Sequence, residues 1–95
     1  MTVWTSELAN ADLLDIWEYT SETWGVMQAD AYIRAISERF VQLDAFPAAG
    51  RSVEEIRAGY RRIKYASHVI YYRPVPDGVQ IVRILHERMD PYLHL

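Results

Sequence analysis

The apolar residues of this chain repeat with two different periods, and the change falls in the segment 46–59. Before it they recur three or four residues apart, which is the spacing of one face of a helix. After it they alternate with polar residues, which is the spacing of a strand with one buried face. The sequence therefore predicts helices first and a sheet afterwards, which is an α+β fold.

The helical half divides into two amphipathic segments, predicted over residues 6–23 and 27–45. Thr5 or Ser6 can cap the first helix, and Gly25 suits the break between the two. Pro47 ends the second helix, because the residue before a proline is pushed out of the helical region. A break this short predicts an antiparallel helical hairpin. The inward stripes read Ala9, Leu13, Ile16 and Thr20, then Ala29, Ile33, Ile36, Phe40 and Leu43.

Four strands are predicted around this hairpin. Val3 and Trp4 favour a strand before the first helix, and residues 60–66, 67–74 and 79–87 read as a meander. A tight turn at residues 66–67 and a hairpin turn at 76–78 join the last three strands. The predicted order is β-α-α-β-β-β, with the helices covering one face of a small antiparallel sheet.

Strict alternation divides the last strand into two faces. Its first face carries Val79, Ile81, Arg83 and Leu85, and its second carries Gln80, Val82, Ile84 and His86. Residues 46–59 are predicted to be a loop, and residues 90–95 a short turn or helical stub.

Size and composition point to a small globular protein. The chain has 95 residues, 51% of them hydrophobic, and we expect residues 1–95 to form one domain. It has no cysteine, which excludes disulfides and thiolate metal sites. Because the sequence lacks an apolar run of about 18 residues and a basic, then apolar, start, we expect a cytoplasmic protein with no membrane segment.

The charge is unevenly distributed along the chain. Residues 1–50 hold eight acidic and two basic residues, net −6, and residues 51–95 hold eight basic and five acidic residues, net +3. An acidic chain is a poor general binder of nucleic acid, but its basic half can meet an acidic partner. We expect the arginines of this half to form ion pairs and rim contacts in preference to a phosphate site.

The residues suited to catalysis or metal binding form no recognisable motif. His68, His86 and His94 match no metal-ligand spacing, and His68 is interpreted as a structural residue at the start of a strand. Ser67 lies in no nucleophile elbow, and the glycines form no phosphate loop. We therefore expect no catalytic centre, no metal and no cofactor. The many aromatic residues instead indicate leftover apolar surface, which is typical of a protein-binding face.

Several segments of this chain resemble the ParE branch of the ParE/RelE toxin–antitoxin superfamily. The matching parts of the hairpin are residues 11–17, Tyr19, residues 24–25, residues 28–29 and Tyr32. The matching parts of the loop and strands are residues 46–47, 50–51, 57–62, 67–73, 77–78 and 81–90. The resemblance spans nearly the whole chain and implies the RelE-like fold, a bacterial toxin and a ParD-like antitoxin.

The same resemblance leaves two chemistries open. RelE-type members cleave mRNA on the ribosome, whereas ParE-type members resemble inhibitors of DNA gyrase. His68 stands where RelE-type enzymes tend to carry an arginine, and Glu87 stands where a basic residue would help cleavage. These departures favour gyrase inhibition without catalysis. The alternatives are a ribosome-dependent mRNA endonuclease and an inactive member that only binds its antitoxin.

The resemblance also suggests two sets of contact residues. The antitoxin is expected to pack on the helical hairpin at Leu14, Trp17, Tyr32 and Ile33. The target is expected to contact the C-terminal segment at His86, Arg88, Met89 and Tyr92.

Overall fold

The elements of the computed structural model, which describes residues 2–95, follow the predicted order with one strand added. They are β1 (Thr2–Thr5), α1 (Glu7–Trp24), α2 (Val26–Ala45), β2 (Arg51–Ser52), β3 (Arg61–Tyr65), β4 (His68–Val75), β5 (Gly78–His86) and α3 (Pro91–His94). The α+β architecture and its helical hairpin are confirmed. The added strand, β2, has two residues and forms inside the segment predicted to be a loop.

The two long helices begin and end where local chemistry favours it. The Ser6 hydroxyl accepts a hydrogen bond of 3.0 Å from the Ala9 amide, which satisfies a free N–H group in the first turn of α1. Gly25, the single residue between α1 and α2, has a φ of 93°, which favours glycine. Across residues 2–95, neither helix presents an apolar stretch that could cross a membrane.

The five strands form one sheet in the order β1-β5-β4-β3-β2. β2, β3, β4 and β5 pair antiparallel, but β1 runs parallel to β5, so the expectation of a wholly antiparallel sheet was wrong. Thr2 lies opposite Gly78, and a Cβ on that glycine would lie 1.8 Å from the Thr2 carbonyl oxygen. Gly78 therefore ends the β4–β5 turn and also lets β1 approach the sheet.

A β-bulge in β5 changes which residues share a face. Tyr71 lies opposite Arg83 and Tyr72 opposite Ile81, so Val82 is an extra residue. Ile84 therefore packs with Ile81 against the helices, and Leu85 faces the other side. The faces predicted by strict alternation are wrong beyond Val82, because an inserted residue shifts the period-2 pattern by one.

The bulged sheet has an apolar cluster on each face. The main core lies between the sheet and the helices and includes Ile36, Phe40 and Tyr72. An outer cluster on the opposite face contains Val53, Val69, Tyr71 and Leu85, with Ile56, Tyr60 and Leu95 packed against it. The loop after β2 and the C-terminal residue thus cover part of the face that the helices leave bare.

The segment between α2 and β2 is anchored by one buried hydroxyl. Tyr72 donates a hydrogen bond to the Pro47 carbonyl and accepts one from the Gly50 amide, both at 2.8 Å. Burial raises the pKa of Tyr72, so the hydroxyl stays protonated and can donate. A Cβ at residue 50 would lie 2.5 Å from that oxygen, which accounts for a glycine there.

Asp12 on α1 takes the place of a neighbouring strand along part of β5. β1 pairs with β5 only as far as Ile81, and beyond it Asp12 Oδ2 accepts the Ile84 amide at 2.9 Å. The same carboxylate accepts the Arg83 guanidinium at 2.8 and 2.9 Å. The two side chains are only 12% and 14% exposed, so water screens the pair weakly. One carboxylate therefore joins α1 to the bare edge of β5.

We expect Asp12→Ala to lower the free energy of unfolding by about 2–4 kcal/mol, because it leaves a half-buried guanidinium and a backbone amide unpaired. Asp15→Ala is the matched control, since Asp15 lies one turn away on α1 and is exposed. We expect that control to stay within about 0.5 kcal/mol of the parent chain. Urea unfolding of the three proteins measures both values, and equal midpoints would contradict this account of Asp12.

Candidate functional site

A concave surface lies where the hairpin tip, the ends of β4 and β5 and the C-terminal tail (residues 87–95) meet. It has a volume of about 790 Å³. Aromatic and aliphatic side chains and all three histidines of the chain line it, and we call it the histidine groove. Its lining residues are Asp12, Asp15, Ile16, Tyr19, Thr20, Trp24, Gln28, Tyr32, Ser67, His68, Arg83, Ile84, His86, Met89 and His94.

The apolar side of the groove is open to solvent. Tyr19 is 68% exposed and Trp24 is 72% exposed, although both are large aromatic residues. Met27, in the first turn of α2, is 88% exposed. Exposed large apolar side chains of this kind are typical of a protein-binding site.

The polar side of the groove is built on the paired ends of β4 and β5. His68 lies opposite His86, with the two ring centres 5.5 Å apart and the rings nearly perpendicular. His68 Nδ1 shares a hydrogen bond of 2.7 Å with the Tyr32 hydroxyl of α2. Burial and the neighbouring His86 lower the pKa of His68, with Glu87 and Asp12 opposing them, so the ring is held in its neutral form.

Arg83 connects the groove to the C-terminal tail. Its guanidinium donates to both oxygens of Asp12 and also to the His94 carbonyl at 3.1 Å. The hydrogen bond to Asp12 raises the pKa of Arg83, so its charge is permanent and already compensated. The arginine of this groove therefore positions the tail and does not offer a free cation to a ligand.

Comparison with known proteins identifies the family. A family model described as "ParE toxin of type II toxin-antitoxin system, parDE" matches residues 3–91. Toxin ParE1 of Caulobacter vibrioides (strain ATCC 19089 / CIP 103742 / CB 15) is 43% identical over 90 residues, covering 95% of this chain and 93% of its own. This chain belongs to the ParE toxin family.

Two further likenesses agree with membership of the ParE family. Toxin ParE1 of Mycobacterium tuberculosis (strain ATCC 25618 / H37Rv) is 42% identical over 86 residues, covering 90% of this chain and 88% of its own. The solved structure of the "Chromosomal ParDE TA system from P. aeruginosa" matches with a TM-score of 0.77 and 26% identity, over 90% of this chain and 95% of that one. The ParE assignment and the RelE-like fold inferred from the motifs are both confirmed.

In this ParE-family chain one of the four residues expected to meet an antitoxin lines the histidine groove. Tyr32 lines the histidine groove, and Ile33 packs against the main core. Leu14 is 58% exposed and lines no part of the groove. Trp17 is half-buried, and its indole N–H donates to Asp30 at 2.8 Å across the hairpin. The four residues therefore have different environments, and Tyr32 is the one that lines the groove.

The four residues expected to meet a target divide into two pairs. His86 and Met89 line the histidine groove beside Tyr32. Arg88 and Tyr92 are exposed outside it, on the turn after β5 and on α3. The groove and the tail are thus neighbouring parts of one surface.

Sequence reasoning missed most of the groove, including Asp12, Tyr19, Trp24, Arg83 and His94. One signal was present: Arg83 stands among apolar residues of β5, and a charge in such a strand needs a partner. The partner could not be chosen from the sequence, because Asp12 is 71 residues away and is one of eight acidic residues in the first half.

The arrangement is suited to binding more than to RNA cleavage. Cleavage needs a base, an acid and a cation that supports the phosphorane. His68 and His86 could exchange protons, but Arg83 is neutralised by Asp12, and Lys64 pairs with Glu87 at 2.7 Å outside the groove. Within residues 2–95 no three His, Cys, Asp or Glu side chains are grouped to hold a metal ion.

We predict that His68 makes the stability of the fold depend on pH. Its pKa is lower in the folded chain than the ordinary value of 6.5, so the unfolded chain binds more protons between the two values. The contribution is therefore complete above about pH 7 and is lost as the pH falls below about 6. The melting temperature should fall between about pH 7.5 and about pH 5.5.

His68→Gln keeps a hydrogen-bonding side chain but removes the titration, so it should flatten that decline. His94→Gln is the control, since that histidine lines the same groove without a hydrogen bond from its ring among the described residues. An unchanged pH slope in His68→Gln would show that other groups cause the decline.

Proposed function

We propose that this ParE-family chain inhibits DNA gyrase without catalysing a reaction, and that a ParD-like antitoxin neutralises it by covering the histidine groove. The observation that carries the proposal is the meeting of Tyr32 with His86 and Met89 in one groove. A segment bound there would also cover residues expected to touch the target, so neutralisation would be direct competition. The proposal places the protein in the cytoplasm, where gyrase acts.

The chemistry of the groove supports a peptide occupant. Exposed Tyr19 and Trp24 offer large apolar area at low side-chain entropy, which is typical of the centre of a protein interface. An amphipathic helix laid in an apolar groove is a recurrent binding mode. Occupation by a partner that binds only the folded chain would also raise the melting temperature.

The proposal that the chain has no catalytic activity is supported by the surroundings of Arg83 and His68 in the groove. Arg83 is held by Asp12, and burial lowers the pKa of His68, so neither side chain offers a free cation to a phosphate. The exposed tail carries Arg88 and Tyr92, a residue pair enriched at protein interfaces. A surface of this composition suits contact with an enzyme better than it suits phosphate chemistry.

Trp24→Ala should weaken antitoxin binding about tenfold or more, because it removes an aromatic from the middle of the proposed interface. The partner to test is the product of the open reading frame adjacent to this chain's gene, titrated by calorimetry. Phe46→Ala is the matched control: Phe46 is 71% exposed, against 72% for Trp24, and lies outside the groove. It should change the affinity less than about threefold.

If both variants bind like the parent chain, the groove is not the antitoxin site. If the neighbouring product binds none of the three and does not restore growth, the proposed antitoxin pairing is wrong for that product.

Purified chain should block ATP-dependent supercoiling of relaxed plasmid by gyrase. Arg88→Gln combined with Tyr92→Ala should weaken that inhibition about tenfold, because both residues lie on the exposed tail and hold no part of the core. These substitutions are more specific than a deletion of the tail, since the deletion would also remove the His94 carbonyl that accepts a hydrogen bond from Arg83.

Melting temperature is the control for the tail variant and should match that of the parent chain. Primer extension on translated mRNA runs in parallel. Unimpaired supercoiling together with codon-positioned mRNA cuts would move this chain to the RelE-type activity. Unimpaired supercoiling without cuts would indicate an inactive member.

A further inference from the structure

The face of the sheet that points away from the helices carries an uncompensated row of arginines. Arg51 on β2 lies directly opposite Arg62 on β3, and Arg62 lies opposite Tyr71 on β4. Residues that lie opposite each other on antiparallel strands point to the same face. Since Tyr71 belongs to the outer cluster, Arg51 and Arg62 both project from the outer face.

Two more cations lie on the same side of the sheet. Arg73 follows Tyr71 by two residues on β4, so it shares that face. Its Nε donates to the neutral amide oxygen of Gln80 at 2.6 Å, which positions the side chain without cancelling its charge. Arg57 lies over the ring of Tyr60, 5.8 Å from its centre, in the loop that packs on the outer cluster.

None of these four arginines has a carboxylate partner within residues 2–95. The ion pairs there join Lys64 to Glu87 and Arg83 to Asp12. Glu54 lies in the same loop as Arg57, but its carboxylate accepts a hydrogen bond from the Gly59 amide. The expected ion pairing is therefore found at Arg83, whereas Arg51, Arg57, Arg62 and Arg73 form no ion pair within residues 2–95.

The opposed pair is unfavourable in the isolated chain. Like charges directly opposite each other on neighbouring strands destabilise a sheet. Arg51 and Arg62 hold such positions, and within residues 2–95 neither forms an ion pair with a carboxylate. A bound anion would turn this repulsion into attraction, and the planar guanidinium matches phosphate oxygens well.

We propose that this outer arginine row, formed by Arg51, Arg62 and Arg73 with Arg57 beside them, binds the phosphate backbone of duplex DNA. The cations span three strands, which places the outermost backbones about 10 Å apart. Duplex DNA carries phosphate charges at a fixed, dense spacing, so it can contact all of these arginines without rearranging. A flexible acidic peptide would first have to be ordered across the same width.

The charge of the rest of the chain decides the orientation of the DNA. Residues 1–50 have a net charge of −6 and supply both long helices, so a polyanion is repelled from the helical side. The row also faces away from the helix layer against which the histidine groove is formed, so a partner in the groove leaves the row free. The proposal does not depend on gyrase being the target, because it concerns the contact with DNA itself.

The test is fluorescence anisotropy of purified chain with a labelled duplex of about 20 base pairs, over a range of salt concentrations. Each phosphate contact contributes about 0.9 to the slope of log affinity against log salt. Arg51→Gln with Arg62→Gln should therefore reduce the magnitude of that slope by about 2. The loss of affinity should be similar on any duplex sequence. Arg34→Gln with Arg39→Gln removes the same charge from the helical layer and should leave the slope within about 0.5.

Two further measurements are needed. One distinguishes an effect on DNA binding from an effect on folding, and the other distinguishes DNA from an acidic protein as the ligand. Since the opposed pair repels itself, Arg51→Gln with Arg62→Gln should melt at the same temperature as the parent chain or higher. A poly-glutamate peptide of equal charge should bind more weakly than the duplex. Any of three results would overturn the proposal. They are a chain that shows no salt-dependent binding to DNA, two double variants that lose the same amount of slope, and poly-glutamate that binds more tightly than the duplex.

Discussion

The carboxylate of Asp12 joins α1, the bare edge of β5 and, through Arg83, the C-terminal tail. It accepts the Ile84 amide on the bare edge of β5 and both donors of the Arg83 fork, and Arg83 in turn reaches the His94 carbonyl. A half-buried charge pair of this kind stabilises little by itself, because both ions lose water. Its consequence is geometric: α1, β5 and the tail are fixed relative to one another.

Asp12 and Arg83, the two charged residues of that junction, both line the histidine groove. α1 presents Ile16 and Tyr19, the sheet presents His68 and His86, and the tail closes the side at His94. Tyr19 and Trp24 remain largely exposed beside the paired ends of β4 and β5. A chain of 95 residues buries a modest share of its surface, and part of the apolar remainder lies in this groove at Tyr19 and Trp24.

The bulge at Val82 has effects on both faces of the sheet. On the helix side it brings Ile84 into the main core and His86 alongside His68. On the outer side it brings Leu85 under the loop and the C-terminal residue, which completes the outer cluster. Around that cluster Arg51, Arg62 and Arg73 form no ion pair within residues 2–95, so the two faces differ in charge as well as in packing.

Local sequence determined the elements of this protein. The 3.6-residue and two-residue periods, the Ser6 cap, Gly25 and the turns at residues 66–67 and 76–78 all act over a few residues, and each predicted its helix or strand correctly. The motifs spread along the chain were also sufficient for the family. Tertiary structure alone decided that β1 runs parallel to β5, that Val82 is bulged and that Asp12 pairs with Arg83. The physical reason is distance along the chain, because partners 71 residues apart are selected by packing and burial, which no local pattern records.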